Sequence, residues 1–135
     1  MTNMIGLCAH GSLAGAFLEA IGMIAGLPEG VCAFPLTPGM EPLEYRAKVE
    51  DWIDNHPSAN FLLLTDLFGG TPCNMAATFA KRENVAVIAG MNLSMVIEVL
   101  TRKDQVDLEG LCDIALGIGC SGIIDVKKRL GCLQE

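Results

Sequence analysis

The chain has 135 residues, of which 51% are hydrophobic, 19% charged and 5% aromatic. This length fits one domain with its own core, so we expect a single domain over residues 1–135. Sixteen acidic residues against nine Lys and Arg give a net charge of -7, which disfavours nucleic-acid binding because an acidic surface repels phosphate backbones. The high apolar content excludes intrinsic disorder.

The beginning of the chain, MTNMIGLCAHG, lacks the basic segment and long apolar run of a secretory signal. The longest candidate for a membrane span, residues 85–97, is interrupted by Gly90, Asn92 and Ser94 and is shorter than the ~18 apolar residues that a span requires. We therefore expect a cytoplasmic protein that does not insert directly into a membrane.

Four short apolar segments recur along the chain, each followed by a turn signal and then by helical periodicity. Their nearly continuous apolar character favours strands covered on both faces, as in a parallel sheet. The segments are Met4–Ala9, Val31–Leu36, Asn60–Thr65 and Val85–Ala89.

The segments between these strands have the periodicity of crossover helices. Alternating strands and helices predict an α/β fold: one doubly wound, mostly parallel sheet of order 2-1-3-4 with helices on both faces. A final segment, Cys120–Val126, has the composition of a short C-terminal antiparallel strand. Five helices are predicted. The first has Ser12 as N-cap and stops at Gly26, the second lies between Pro42 and Pro57, and the third has Thr71 as N-cap, Pro72 as its first residue and Arg82 near its end. The fourth and fifth cover Leu93–Leu100 and residues 107–117.

Polar residues follow the strands where each one ends. His10 follows the first strand and Asp66 closes the third, and these two strands are neighbours at the switch point of a 2-1-3-4 sheet. A carboxylate that accepts a hydrogen bond from Nδ1–H of a histidine fixes the tautomer and leaves the Nε2 lone pair free. The pair therefore predicts an oriented histidine nucleophile or base.

An anion site is predicted beside this pair. Backbone N–H groups of Gly11, Gly69, Gly70 and Thr71, together with a helix N-terminus, would hold a phosphoryl group, with Ser12 and Asn92 nearby. The sequence has no Walker A motif and no acidic pair for Mg²⁺. We therefore expect phosphate to arrive from another protein or a small donor, with no cofactor and no bound nucleotide.

Structural interpretations of the same residues stay open at this point. The six cysteines include no CxxC pair, and Cys8 with His10 is a lone C-x-H, so no metal site is expected. Cys73, near a helix start, would suit a thiol-based function, although no resolving cysteine or base lies nearby and packing is the simpler interpretation. The other structural roles are a packed His10, a turn-capping Asp66, a tight corner at Gly69-Gly70, an N-cap at Thr71, a left-handed turn at Asn92 and a solvated His56.

Three motifs follow the first, third and fourth predicted strands: Ala9-His10-Gly11, Asp66-Leu67-Phe68-Gly69-Gly70-Thr71-Pro72-Cys73-Asn74 and Ala89-Gly90-Met91-Asn92-Leu93-Ser94-Met95. Together they resemble the enzyme IIA domains of the mannose family of the bacterial sugar phosphotransferase system. The resemblance implies that His10 accepts a phosphoryl group on Nε2 from the carrier protein HPr and passes it to a IIB component. Asp66 would orient the histidine, and Gly70, Thr71 and the adjoining helix start would stabilise the phosphate.

The same resemblance implies a homodimer in which residues 120–126 form a strand on the neighbouring subunit's sheet. It also implies a functional association with membrane components IIC and IID through a separate IIB chain. One departure is Ser94, where members of the family often have proline. The alternatives are a regulatory domain in which the phosphoryl group or a bound anion is only a signal, and the phosphotransfer subunit of dihydroxyacetone kinase, which shares the fold and a histidine after its first strand.

Overall fold

A sheet of four parallel strands lies at the centre of the molecule. The computed structural model describes residues 2–134, and the side chains of residues 2–131. The strands in chain order are β1 (Asn3–His10), β2 (Val31–Leu36), β3 (Asn60–Thr65) and β4 (Val85–Ala89). Their order across the sheet is β2-β1-β3-β4, which confirms the predicted topology and places β1 beside β3.

Helices cover both faces of this sheet, so the prediction of an α/β fold is confirmed. None of the helices in the described part of the chain is long and apolar enough to cross a membrane. The helices are α1 (Leu13–Ile24), α2 (Pro42–Asp54), α3 (Thr71–Ala77), α4 (Leu93–Arg102), α5 (Leu108–Ser121) and α6 (Val126–Gln134).

Two hydrophobic cores follow from the alternation of side chains along the central strands. Ile5, Leu7, Leu62 and Leu64 point to one face and pack with α1, α4 and α5, whereas the side chains between them point to the face covered by α2 and α3. Each fully buried aliphatic side chain contributes about 1.5–3 kcal/mol through removal from water. The two cores hold β1 and β3 rigidly, and these are the strands that carry the candidate site.

The predicted C-terminal strand over Cys120–Val126 is not present in this structure of a single chain. Its first two residues belong to α5, residues 122–125 connect the helices without regular structure, and Val126 begins α6. The β-branched run Ile123-Ile124 suggested a strand, but no free strand of the same chain lies alongside it. Exchange of this segment between subunits stays a prediction.

Both boundaries of α3 also differ from the prediction, and α5 continues to Ser121 instead of ending at residue 117. The N-cap of α3 is Gly70, whose backbone is extended, and Thr71 is the first helical residue. Pro72 therefore occupies the second helical position and not the first. The same helix ends at Ala77 instead of Arg82. There the Thr78 hydroxyl donates to the Met75 carbonyl at 2.6 Å, and turns replace the last predicted residues.

Candidate functional site

His10 and Asp66 meet at the carboxyl end of the central strands. The Asp66 Oδ2 atom lies 2.8 Å from His10 Nδ1 and also accepts the backbone N–H of His10 at 3.0 Å. Because a carboxylate is an acceptor, these contacts place the ring proton on Nδ1 and leave Nε2 with a lone pair. The predicted pairing of the two residues is present in the structure.

The two side chains differ in their exposure to solvent. The His10 side chain is 48% exposed, whereas that of Asp66 is 11% exposed. Burial by itself would raise the pKa of Asp66, but the hydrogen bonds from the backbone and ring of His10 outweigh it and hold the pKa below its ordinary value of 3.8. Asp66 is therefore a fixed carboxylate at neutral pH, while the histidine ring faces solvent.

Gly70 forms the opposite wall of the histidine ring. A Cβ atom placed on Gly70 would lie 2.8 Å from His10 Cε1 and 3.4 Å from Nε2. A Cβ atom at this position would collide with the ring, so the contact favours glycine here, although the φ of -77° at Gly70 is open to any residue. The imidazole is held between the Asp66 carboxylate and the Gly70 backbone, with Nε2 on the Gly70 side.

The backbone amides predicted to hold an anion differ in availability. The N–H of Gly11 donates to the Leu36 carbonyl at 2.8 Å, so it already has a partner within the fold. Gly70 makes a longer bond, 3.3 Å, to the Leu67 carbonyl. Gly69 adopts φ 87°, a left-handed conformation that favours glycine, and the Asn74 side chain fixes its carbonyl at 3.1 Å. The loop is therefore held in shape next to the ring.

Ser12 and Asn92 occupy the ends of α1 and α4 respectively. Ser12 holds the N-cap position of α1 as predicted, but its side chain makes no capping bond and is exposed. Asn92 is an extended N-cap, not a left-handed turn: its side chain accepts the Met95 N–H at 2.9 Å and donates to the Gly119 carbonyl at 2.8 Å. Its amide is thus engaged in joining α4 to α5.

Cysteine and tyrosine side chains lie beneath the histidine. Burial, and to a smaller degree the charge of Asp66, raises the pKa of the Cys8 thiol to about 12. Burial also raises the pKa of Tyr45, whose hydroxyl donates to the Phe34 carbonyl at 2.6 Å. Both groups are therefore neutral at physiological pH. Cys73 is buried at 5% exposure, which favours a packing role for this side chain.

Two features of the site escaped the sequence analysis. Leu67 and Phe68, directly after Asp66, are 61% and 85% exposed, so the loop presents apolar surface to solvent. Thr65, directly before Asp66, is completely buried and its hydroxyl oxygen has no hydrogen-bond partner among the described residues. The sequence contained a signal for both features. A Leu-Phe pair is unusual in a polar turn, and Thr65 is a polar residue at the end of an otherwise apolar strand.

The described residues contain no group of three or more His, Cys, Asp or Glu side chains arranged to hold a metal ion. What the geometry offers is an oriented imidazole with a free nitrogen, a buried carboxylate that supports it, and a glycine-rich turn against its open side. This arrangement suits nucleophilic attack by Nε2 on an electrophile brought from outside.

Comparisons with known proteins find similar sequences along most of the chain. The model of the EIIA-man family, described as "PTS system fructose IIA component", matches residues 5–116. The chain is 31% identical to a sorbose-specific EIIA component of Klebsiella pneumoniae over 106 residues, 78% of each chain. It is 34% identical to a fructose-specific EIIA component of Bacillus subtilis over 110 residues, 78% of this chain and 73% of that protein.

Solved structures give the same result. The crystal structure of the phosphotransferase system component EIIA from Streptococcus agalactiae superimposes with a TM-score of 0.88 at 27% identity, covering 94% of this chain and 99% of the other. The mannose/sorbose specific IIA subunit from Enterococcus faecalis gives a TM-score of 0.83 at 29% identity, over 92% and 94% of the two chains.

Proposed function

Because the chain belongs to the fructose, mannose and sorbose IIA family of the sugar phosphotransferase system, we propose that it is a phosphocarrier that accepts a phosphoryl group from HPr on His10 Nε2 and passes it to a IIB component. The observation that carries the proposal is the 2.8 Å contact between His10 Nδ1 and Asp66 Oδ2, which leaves Nε2 as the nucleophilic atom.

The transfer step follows from this geometry. The Nε2 lone pair forms a bond to phosphorus while the bond between phosphorus and the donor atom of HPr breaks, and the electron pair of that bond stays on the donor. The proton on Nδ1 remains between His10 and Asp66, where the carboxylate stabilises the positive charge that develops on the ring. The reverse sequence of bond changes delivers the group to the IIB component.

The glycine turn supports the phosphorylated state. An incoming phosphoryl group on Nε2 would lie on the Gly70 side of the ring, next to the glycine turn that leads into α3. Backbone N–H groups stabilise phosphate oxygens without requiring a cation. Because α3 is only seven residues long, the local amides, more than a helix dipole, would provide this stabilisation.

The surface around His10 supports docking of a carrier protein. Leu67 and Phe68 are exposed beside the histidine, and Leu13, at the start of α1, is 43% exposed at the same end of the sheet. With a net charge of -7, the protein offers phosphorylated partners no general electrostatic attraction. Docking would therefore rest on local apolar contact, and the same surface would serve HPr and the IIB component in turn.

The proposal includes a homodimer and a functional link, through the IIB component, to membrane components IIC and IID. Ile123 and Val126 are 79% and 62% exposed in the segment predicted to be exchanged, and exposed apolar residues of this kind favour burial against a second chain.

Light scattering of the purified protein should give twice the mass of the 135-residue chain. A monomeric mass at micromolar concentration would contradict the dimer.

Phosphorylation by the purified upstream components tests the function. With phosphoenolpyruvate, enzyme I and HPr, the wild-type protein should acquire an acid-labile, alkali-stable phosphoryl group. His10→Ala should abolish labelling, whereas His56→Ala should label normally, because His56 is an exposed residue whose Nδ1 contacts the Trp52 carbonyl at the far end of α2. Normal labelling of the His10 variant would contradict the proposal.

The second half of the relay needs its own measurement. The phosphorylated protein should transfer its label to a IIB component encoded nearby, and Asp66 should be required for the full rate. Stable labelling of His10 without transfer to any such IIB component would reject the relay and favour a regulatory role for the phosphoryl group.

A further inference from the structure

Thr65 is a buried polar residue in an apolar position. It ends β3, is completely buried, and lies in register with Cys8 of β1 and Ala89 of β4. Its carbonyl accepts the N–H groups of Gly90 and Met91, both at 3.0 Å, but its hydroxyl oxygen contacts no donor or acceptor among the described residues. A buried hydroxyl without a partner is costly, and valine would fill the same volume without that cost.

The neighbouring carboxylate of Asp66 has an oxygen that lacks a hydrogen-bond donor among the described residues. Asp66 Oδ2 accepts both bonds from His10, while Oδ1 is buried and has no partner. Among the described residues, the buried side-chain atoms without a partner are this oxygen and the Thr65 hydroxyl oxygen. One of these groups is a donor, the other is an acceptor, and they belong to consecutive residues.

Other donors near the carboxylate are committed elsewhere. Tyr45 donates its hydroxyl proton to the Phe34 carbonyl at 2.6 Å, and the Asp66 backbone N–H donates to the Cys8 carbonyl at 3.2 Å. Cys8, whose pKa burial raises to about 12, is a neutral thiol and only a weak donor. The ion pairs of the described residues give Asp66 no partner besides His10. The Thr65 hydroxyl belongs to the residue next to Asp66 and is the buried side-chain donor without an acceptor among the described residues.

We propose that Thr65 is a positioning residue for the His10–Asp66 pair, whose hydroxyl donates a hydrogen bond to Asp66 Oδ1, directly or through one water molecule. This bond fixes the plane of the carboxylate, so that Oδ2 stays aligned with both donors of His10. It also stabilises the charged form of Asp66, which keeps the Nδ1 proton on the histidine when Nε2 reacts. The effect on transfer rate rests on the proposed function, whereas the hydrogen bond itself does not.

Thr65→Val tests the proposal because it replaces the hydroxyl by a methyl group of similar size. The pKa of Asp66, followed by carbon-13 NMR of its carboxyl group, should rise by about one unit, since a hydrogen bond to the charged form is lost. Phosphoryl transfer at neutral pH should slow about three- to tenfold. Thr65→Ser, which keeps the hydroxyl, should restore both quantities to within twofold of the wild type.

Thr101→Val is the matched control. It makes the same atomic exchange on α4, where the hydroxyl donates to the Ile97 carbonyl at 2.8 Å on the exposed face. The pKa of Asp66 and the rate of transfer should both remain unchanged in this variant, so that a shift in the Thr65 variant cannot be attributed to general loss of a hydroxyl.

Any of three results would overturn the proposal. An unchanged Asp66 pKa in a folded Thr65→Val protein would show that the hydroxyl does not reach the carboxylate, and a gain in stability would show that it is unpaired. If the valine variant does not fold, a crystal structure of the wild type decides the question: neither Oγ1 nor a shared water within hydrogen-bond distance of Oδ1 would reject the proposal. These measurements need no phosphoryl donor, so they succeed or fail independently of the proposed function.

Discussion

The two ends of the central sheet treat buried polar groups in opposite ways. At the amino end, Asn3 is 2% exposed, and its amide donates to the carbonyls of Lys103 and Val106, both at 2.8 Å. Lys103, 4% exposed, donates to both oxygens of Asp104 at 3.1 and 3.2 Å. At the carboxyl end, Thr65 and Asp66 each keep a buried oxygen that has no partner among the described protein groups.

The two ends also differ in what they do with their polar side chains. The carboxyl end presents a half-exposed histidine that a carboxylate orients, whereas the amino end ties the Asn3 amide to the backbone that follows α4. The contrast indicates that one end of the sheet fixes the fold and the other is arranged for chemistry with a partner. Substitutions at the two ends should therefore affect different quantities.

The largest effect is expected for Gly70→Ala, because its methyl group would lie 2.8 Å from His10 Cε1. The ring has to move by about 1 Å, and a misplacement of this size lowers reaction rates about 100-fold. Single-turnover transfer from phosphorylated HPr measures the change. Gly117→Ala, on an exposed part of α5 with nothing within 4 Å, should transfer normally. A Gly70 variant with the wild-type rate would contradict the contact between residue 70 and the histidine.

Asn3→Ala should lower stability and leave the transfer rate nearly unchanged. It removes the donors of two hydrogen bonds at the amino end and should lower the free energy of unfolding by about 2–3 kcal/mol. Transfer measured well below the melting temperature should stay within twofold of the wild type. Asn55→Ala, at an exposed residue after α2, should change stability by less than about 0.5 kcal/mol. A transfer defect in the folded Asn3 variant would remove the distinction between the two ends.

Asp66→Asn should slow transfer about tenfold while preserving the fold. Two N–H groups of His10 converge on Oδ2, so the asparagine oxygen should occupy that place and its NH₂ group should take the position of Oδ1. The Nδ1 tautomer is then retained and only the negative charge is lost, which weakens the hydrogen bond to the developing imidazolium. An unchanged rate would reject the electrostatic role of the carboxylate.

The same variant reports on the pKa of Asp66. Because the pKa is lowered on folding, the carboxylate contributes stability that is fully present above its ordinary value of 3.8 and disappears as the pH falls through the lowered value. The difference in unfolding free energy between wild type and Asp66→Asn should be constant from about pH 5 to 7 and shrink below about pH 4. A difference that grows on acidification would contradict this sign.

The smallest effect is expected for Phe68→Ala. Loss of the exposed ring removes apolar contact with the carrier, so the KM for phosphorylated HPr should rise severalfold while kcat and stability change little. Met23→Ala is the matched control, since Met23 is 84% exposed near the other end of α1. An equal change in both variants would show that the loop after Asp66 is not a docking surface.

Much of the site was predictable because it depends on where strands end. Hydrophobic runs located the strands, and their order placed His10 opposite Asp66 at the switch point. The contact of Gly70 with the ring and the unpaired Thr65 hydroxyl were not predictable, since both depend on the packed positions of atoms. The segment 120–126 has the composition of a strand but does not form one within the single chain, because strand formation also requires a free edge to pair with; its exchange between subunits stays a prediction.

The central claim is that Nε2 of His10 carries the phosphoryl group while Nδ1 stays bonded to Asp66. Phosphorus-coupled nitrogen-15 NMR of the histidine-labelled protein, phosphorylated through HPr, measures this directly, with His56 as an internal reference in the same spectrum. A single phosphorus coupling at Nε2 of His10, with an unaltered His56, is the predicted result. A coupling at Nδ1 of His10, or at either nitrogen of His56, would contradict it.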